Sequence, residues 1–220
     1  LKADGIISDF DEEIQEEANS ITLKIVKRSP VFWIYSLSLS MHALFGTAIV
    51  FHIISIFEEV GKSQAEAFSY FIPAAIFSTT SNLIASWFAD KINLKPLLII
   101  MLLSFCLGSI GFINLENDWG FWTLALGFGV GGGLWGVLSN LTFIRFFGPK
   151  HLGEISGFSS SLTVFASAIG PAAFSLGFDF FGNYAAPAKI CLGFLIILVL
   201  VAIILDQKEI KNKSMDAIRS

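Results

Sequence analysis

The sequence predicts an all-α membrane protein with six transmembrane helices, built as two inverted three-helix repeats. Three observations lead there. Of the 220 residues 54% are hydrophobic and 15% charged, with a mean hydropathy of +0.71, whereas a soluble domain has about a quarter of its residues charged. The charge is clustered at the two ends and in short segments between long apolar runs. Finally, two polar runs followed by one featureless run occur twice in succession.

A bilayer-spanning helix needs about 20 mostly apolar residues. Six runs qualify: Val31–Phe57, Ala67–Phe88, Pro96–Ile113, Gly120–Phe143, Ile155–Phe178 and Ala188–Leu205. Ser29-Pro30 is a helix start, a capping hydroxyl followed by proline at the first helical position, and Pro96 opens the third run in the same way. Residues 29–205 therefore read as a six-helix transmembrane domain, with 1–28 and 206–220 as polar flanks. The acidic stretch Asp9–Glu17 supplies most of the net charge of −4. It is expected to be a solvated loop or a lateral helix, and nothing in the charge suggests nucleic acid. The chain opens at Leu1 on a polar segment with no signal peptide ahead of the first run, so a fragment of a longer protein is expected. Cys106 and Cys191 sit inside apolar runs without metal-ligand spacing, as packing residues do.

Orientation follows from lysine and arginine. Lys24, Lys27 and Arg28 precede the first run, Lys91 and Lys95 follow the second, and Arg145 and Lys150 follow the fourth. Lys208, Lys211, Lys213 and Arg219 follow the sixth, while the other side has only Lys62 and Lys189. The positive-inside rule puts both ends of the segment in the cytoplasm, and an even number of spans agrees with that.

The third and sixth runs, PLLIIMLLSFCLGSIGF and ICLGFLIILVLVAIIL, are expected to face lipid over much of their circumference. The other four carry the Ser, Thr, Asn and His, and intramembrane polar groups usually face a bundle interior or a cavity. Shifting the chain by about 90 residues lays Ala43-Leu-Phe-Gly46 on Gly133-Leu-Trp-Gly136, and Ser86–Asp90 on Ser175–Asp179. Three helices per repeat is odd, so the second repeat is inverted in the membrane, as in a major class of secondary transporters.

The stretch Gly127-Phe-Gly-Val-Gly-Gly132 matches G-x-G-x-x-G. A dinucleotide fingerprint must follow a strand and open a helix in water, and these glycines sit inside an apolar run. Gly129, Gly133, Gly136 and Asn140 share one helical face, which reads as a groove for close helix packing or a flexible point. No cofactor or metal site is expected.

The first run carries Tyr35, Ser38 and His42 as a stripe. His42 lies near mid-membrane, where an imidazole needs a partner; it is suited to holding a carboxylate or carrying a proton, and equally to a structural hydrogen bond. His52 lies nearer the outer face. The second run repeats Ser78, Asn82 and Ser86, and the fifth shares Ser156, Ser160, Thr163 and Ser167 on a face. These fit either interhelical hydrogen bonds or the wall of a hydrated cavity. Ser38, His42, Asn82, Trp135, Asn140 and Ser160 are the candidate cavity residues. Arg145 could attract an anion, pair with an acid or snorkel to headgroups, and Gly170-Pro171 is expected to kink the fifth helix. No acid lies mid-membrane, so His42 is the only local candidate for a coupled proton.

The connection Ser86-Trp-Phe-Ala-Asp90-Lys91-Ile-Asn93-Leu-Lys95 resembles the G-x-L-A-D-R-x-G-R-K loop of the major facilitator superfamily. Ser86 and Asn93 replace the two glycines and Leu94 a basic residue, which suits the degenerate second copy of that motif. Phe147-Gly-Pro-Lys-His-Leu-Gly153 and Ala168-Ile-Gly-Pro171 look like the loop and body of helix eleven in bacterial members. The resemblance covers Pro30 to Leu205. It implies helices seven to twelve of a twelve-helix secondary transporter, with residues 1–28 in the central cytoplasmic loop and 206–220 as the cytoplasmic tail. The partner implied is an N-terminal six-helix half. Asp90 and Lys91 would belong to a conformational lock, in which Asp90 pairs with a basic group or helix N-terminus across the halves. Within the family, His52-x-x-Ser55 is similar to a pattern in monocarboxylate and oxalate/formate carriers, which would make the solute an organic anion, moved by symport or antiport through the plasma (inner) membrane.

The competing classes fare worse. There is no H-E-x-x-H, no G-x-S-x-G and no intramembrane aspartate pair, so an enzyme is not expected. No filter segment suggests a channel. A non-transporting sensor or assembly partner with a transporter fold remains the alternative, and solute-dependent proton movement in vesicles separates it from a carrier.

Overall fold

The computed structural model describes residues 22–205; the acidic segment 9–17 and the tail 206–220 lie outside the described residues. Among the described residues the chain is helix joined by short turns: α1 Leu23–Val26, α2 Pro30–Glu59, α3 Gln64–Ser69, α4 Phe71–Ala89, α5 Leu94–Ile113, α6 Asp118–Phe147, α7 Leu152–Phe181 and α8 Ala185–Ile204. Five of them, α2, α5, α6, α7 and α8, are long and apolar enough to cross a membrane.

The second expected run does not reach that mark. Pro73 has no N–H to offer the Ser69 carbonyl, and regular helix is interrupted at Tyr70, which divides the run into α3 and α4. The apolar character of α4 is then diluted by the consecutive polar residues Ser78 to Asn82. Two helix starts also differ from expectation. Ser29 and Pro30 open α2, but the Ser29 hydroxyl makes no capping bond. α5 starts at Leu94 behind Asn93, which makes Pro96 its third residue. Proline is tolerated there because the first turn's N–H groups lack intrahelical partners in any case.

α3 has a complete capping box. The Ser63 N–H and hydroxyl each donate to Glu66 Oε2 at 2.8 Å, and the Ser63 hydroxyl accepts from the Glu66 N–H at 3.3 Å. The two bonds from Ser63, the backbone one foremost, hold the Glu66 carboxyl below the usual carboxylate range. A depressed carboxyl stabilises the folded state above its unfolded pKa and loses that contribution as pH falls through the folded one. Glu66→Gln should keep the α3 cap and remove this acid sensitivity, read by amide exchange of residues 64–67 between pH 6 and pH 3.

α6 is the centre of the bundle. It packs along both α4 and α5, α2 lies along α7, and α8 closes against α5 and α2. Glycine makes the α5–α6 contact: a Cβ on Gly127 would strike the Gly108 backbone, one on Gly111 the Leu124 nitrogen, and one on Gly120 the Asn114 carbonyl. The face of Gly129, Gly133 and Gly136 meets α4, at Ala74 and Phe77, at Ser78 and Ser81, and at Asn82 respectively. The glycine-rich stretch is thus mid-helix, and its glycines set two helix–helix distances. Phe45, at the middle of α2, packs its ring against Phe112, Phe128 and Phe174.

Burial within this segment does not follow the division into featureless and polar runs. α5, expected to face lipid widely, has 56% of its apolar window buried, and the polar α7 only 17%. The glycines let α6 cover α5, leaving Ile100, Leu103, Leu107 and Ile110 as an exposed stripe. α7 is covered mainly by α2, and Val164 and Phe165 stand exposed.

Candidate functional site: a central cavity

A cavity of about 960 Å³ lies between α2, α4, α6 and α7. Its wall includes His42 of α2, Ser78 of α4, Phe128 and Trp135 of α6, and Thr163 and Ser167 of α7. Among the described residues no Asp, Glu, Lys or Arg lines it. Of the six candidate cavity residues, His42 and Trp135 line this cavity. The His42 ring stacks on Phe105 at 4.7 Å with 12° between the planes and leans on Trp135 at 5.3 Å. Trp135 is fixed in turn by donating its indole N–H to the Leu39 carbonyl at 3.1 Å. His42 Nδ1 is buried with no hydrogen-bond partner among the described residues.

The other four candidates are elsewhere. Ser38 is fully buried, is not part of the cavity wall, and donates to Ile34 O of its own helix at 2.6 Å. Asn82 ties α4 to α6 by donating to Gly133 O at 3.0 Å. Asn140 is exposed and donates to Gly136 O at 2.8 Å, and Ser160 is exposed on α7. Of the polar stripe on α2 only His42 reaches the cavity wall. From His42 the cavity wall continues through Gly46 and Thr47, not back through Ser38 and Tyr35. Helical spacing gave this signal, since Gly46 is one turn beyond His42, but a glycine and a lone threonine did not stand out as polar ligands.

At the end of the bundle where α4 stops and α6 stops, Arg145 reaches across. One guanidinium nitrogen lies 3.0 Å from Asp90 Oδ1, and the other donates to the backbone carbonyl of Ala89. Asp90 therefore has its basic partner within this segment. Lys91 Nζ sits 3.8 Å above the Trp87 ring, a cation–π contact. The loop that carries the sequence motif is thus clasped to α6.

The family model of the Major Facilitator Superfamily matches residues 6–171, and a second match covers 74–216. The chain belongs to the major facilitator superfamily. No curated protein matches it. Members of this superfamily are transporters that bind small solutes within a membrane, and its apolar helices make this chain an integral membrane protein of that class.

In this superfamily member the opposite end of the bundle is tied by His52 and Pro171. His52 Nε2 is 3.0 Å from the Pro171 carbonyl. A carbonyl only accepts, so Nε2 carries the proton and Nδ1 accepts from the Tyr184 hydroxyl at 3.4 Å. The Tyr184 N–H donates to Glu59 Oε2 at 3.0 Å. Pro171 does not interrupt α7. It leaves the Ser167 carbonyl without its helical donor, and the Thr47 hydroxyl of α2, 2.6 Å from the Ala43 carbonyl of its own helix, stands 2.9 Å from it and can share its one hydrogen between the two. The Gly170 Cα lies so close to α2 that a Cβ there would strike the Leu44 carbonyl. Thr47→Val should therefore cost about 1 kcal/mol. In a Pro171→Ala background, where Ser167 regains a backbone donor, the cost should vanish; melting of the four variants in detergent reads this cycle.

Proposed function

We propose that this chain forms helices seven to twelve of a twelve-helix secondary transporter, six passes with α3 and α4 together as the second. The whole carries a small solute, an organic anion such as a monocarboxylate, across the plasma membrane by alternating access, with a proton as the coupled ion. Both ends of the segment lie on the cytoplasmic side. The observation that carries the reading is the cavity walled by α2, α4, α6 and α7, with His42 inside it. α7, one of its walls, is the least buried of the five apolar helices, which suits a face closed by a second six-helix half.

The inverted repeat is supported by length and contact. α2 and α6 each have 30 residues, and α5 and α8 each have 20. The near-contact of Gly170 with Leu44 has a counterpart about 90 residues away in the near-contact of Gly133 with Ser78, so α2 on α7 mirrors α6 on α4. Asp90, Lys91 and Arg145 form the conformational lock in this reading, and Gly170 and Pro171 shape the opposite gate.

The test is uptake by the native full-length protein in proteoliposomes that contain a pH-sensitive dye, offered lactate, formate or benzoate under a proton gradient. Saturable uptake with matching proton movement is expected. Solute binding without any flux would replace the carrier by a sensor.

A further inference from the structure

The surroundings of His42 differ from an ordinary packed core in one respect: glycines flank the imidazole where helix packing does not require them. A Cβ on Gly129 or Gly133 would strike α4, and one on Gly127 or Gly111 would strike backbone across the α5–α6 seam. A Cβ on Gly46 or Gly132 would instead meet His42 Cε1 at 3.7 Å, an ordinary contact. Nothing in the packing of the helices calls for glycine at these two positions. Their common effect is to leave space beside one edge of the ring.

The point vacated at Gly132 lies 3.7 Å from the Ser78 hydroxyl oxygen and 4.0 Å from His42 Nε2. Two hydrogen-bonding groups from different helices therefore converge on one small space. The stacking on Phe105 and the contact with Trp135 hold the ring in place. With Nδ1 buried and unpartnered, the tautomer that leaves only an acceptor unsatisfied puts the proton on Nε2, because a buried N–H without a partner is the rarer case. Nε2–H and the Ser78 O–H are then two donors. Around them the wall is apolar and aromatic, with Phe71, Phe128 and Trp135, and without any ionised side chain.

We infer that the cavity takes a solute with an apolar, planar body and a single carbonyl or carboxyl head group, seated head-first between His42 and Ser78, and that Gly46 and Gly132 limit the size of that head. The inference rests on the transport reading, and it narrows the solute. Two donors match the two lone pairs of one oxygen or the two oxygens of one carboxyl. A second charge on the solute would lose hydration and find no counter-charge among the described residues of these four helices. The aromatic wall offers edge and face contacts to a ring.

The test is calorimetric titration of the full-length protein in lipid nanodiscs with four probes: phenylacetamide, phenylacetate, ethylbenzene and phenylsuccinate. At least one of the first two should bind at least tenfold more tightly than both ethylbenzene, which lacks the head, and phenylsuccinate, which has two charges. Gly132→Ala should keep the melting temperature and weaken the headed probe at least tenfold. Ser78→Ala should weaken it as well, and His42→Gln, which keeps a donor, less than His42→Ala. Gly153→Ala, with open space around it, should change nothing. Phenylsuccinate binding as tightly as phenylacetate would overturn the inference. So would full binding by a folded Gly132→Ala, or a wild-type protein that binds neither headed probe. Uptake of another solute in that last case would leave the transport reading standing.

Discussion

Gly127→Leu should melt about 10 °C below the wild type, whereas Gly193→Leu, also in a helix apolar enough to cross a membrane, should melt with the wild type. The two positions look alike as sequence, each a glycine between apolar residues. They differ in what stands opposite. A Cβ on Gly127 would collide with the Gly108 nitrogen and Cα, atoms that cannot rotate away. Around Gly193 there is open space. Overpacking a core costs about 1–3 kcal/mol and occasionally more when side chains can yield. Here α5 and α6 must separate, so the upper end applies, and a 3 kcal/mol loss lowers the melting temperature by about 10 °C in a chain of this length. Gly131→Ala is the informative intermediate. Its Cβ would meet the Phe105 ring, not backbone, so the protein should fold, but Phe105 would shift and carry the His42 imidazole with it. Size-exclusion profiles in detergent and thermal melts separate the three cases. Wild-type melting of Gly127→Leu would mean that α5 and α6 do not pack through their glycines.

Five of the six expected spans were legible in the sequence because hydropathy and helix termini are local properties. The runs centred on Phe45, Phe105 and Gly132 all became helices, and the glycine face of α6 meets α4 as helical spacing requires. What was not legible depended on partners. Asn82 and Asn140 have the same chemistry and similar apolar neighbours. Asn82 lies opposite Gly133 and is spent on an interhelical bond, while Asn140 turns back on its own helix. Nothing within α4 or α6 alone distinguishes them. The same holds for Asp90 and Arg145, 55 positions apart, whose pairing depends on where α4 and α6 end. The burial of α5 was misjudged because Leu and Ile serve lipid and protein equally; the glycines Gly108 and Gly111 were the better indicator of which side is covered.

Arg145→Ala should destabilise the protein several times more than Asp90→Asn, although the two residues form one ion pair. Asp90 is an exposed partner, with its side chain 87% accessible, and exposed pairs contribute about 0.2–1 kcal/mol. The other half of the arginine's role is to donate to the carbonyl of Ala89, the last residue of α4, which is fully buried. A bond from a charged donor is worth about 1.5–3 kcal/mol, and its loss leaves that carbonyl unsatisfied. Arg145→Lys should recover less than half, because one ammonium does not reproduce the guanidinium fork. High salt gives an independent check. At 1 M the Debye length falls to about 3 Å, which should erase the effect of Asp90→Asn and leave that of Arg145→Ala largely intact. Transport then distinguishes a clasp from a lock. If the pair only secures the end of α4, uptake should follow stability, and Asp90→Asn should transport almost normally. If it holds one conformation closed, Asp90→Asn should shift the thiol labelling of an added T163C substitution in the cavity wall as much as Arg145→Ala does, despite its small effect on melting. Equal melting losses for the two variants would refute the capping argument, since only Arg145 touches the Ala89 carbonyl.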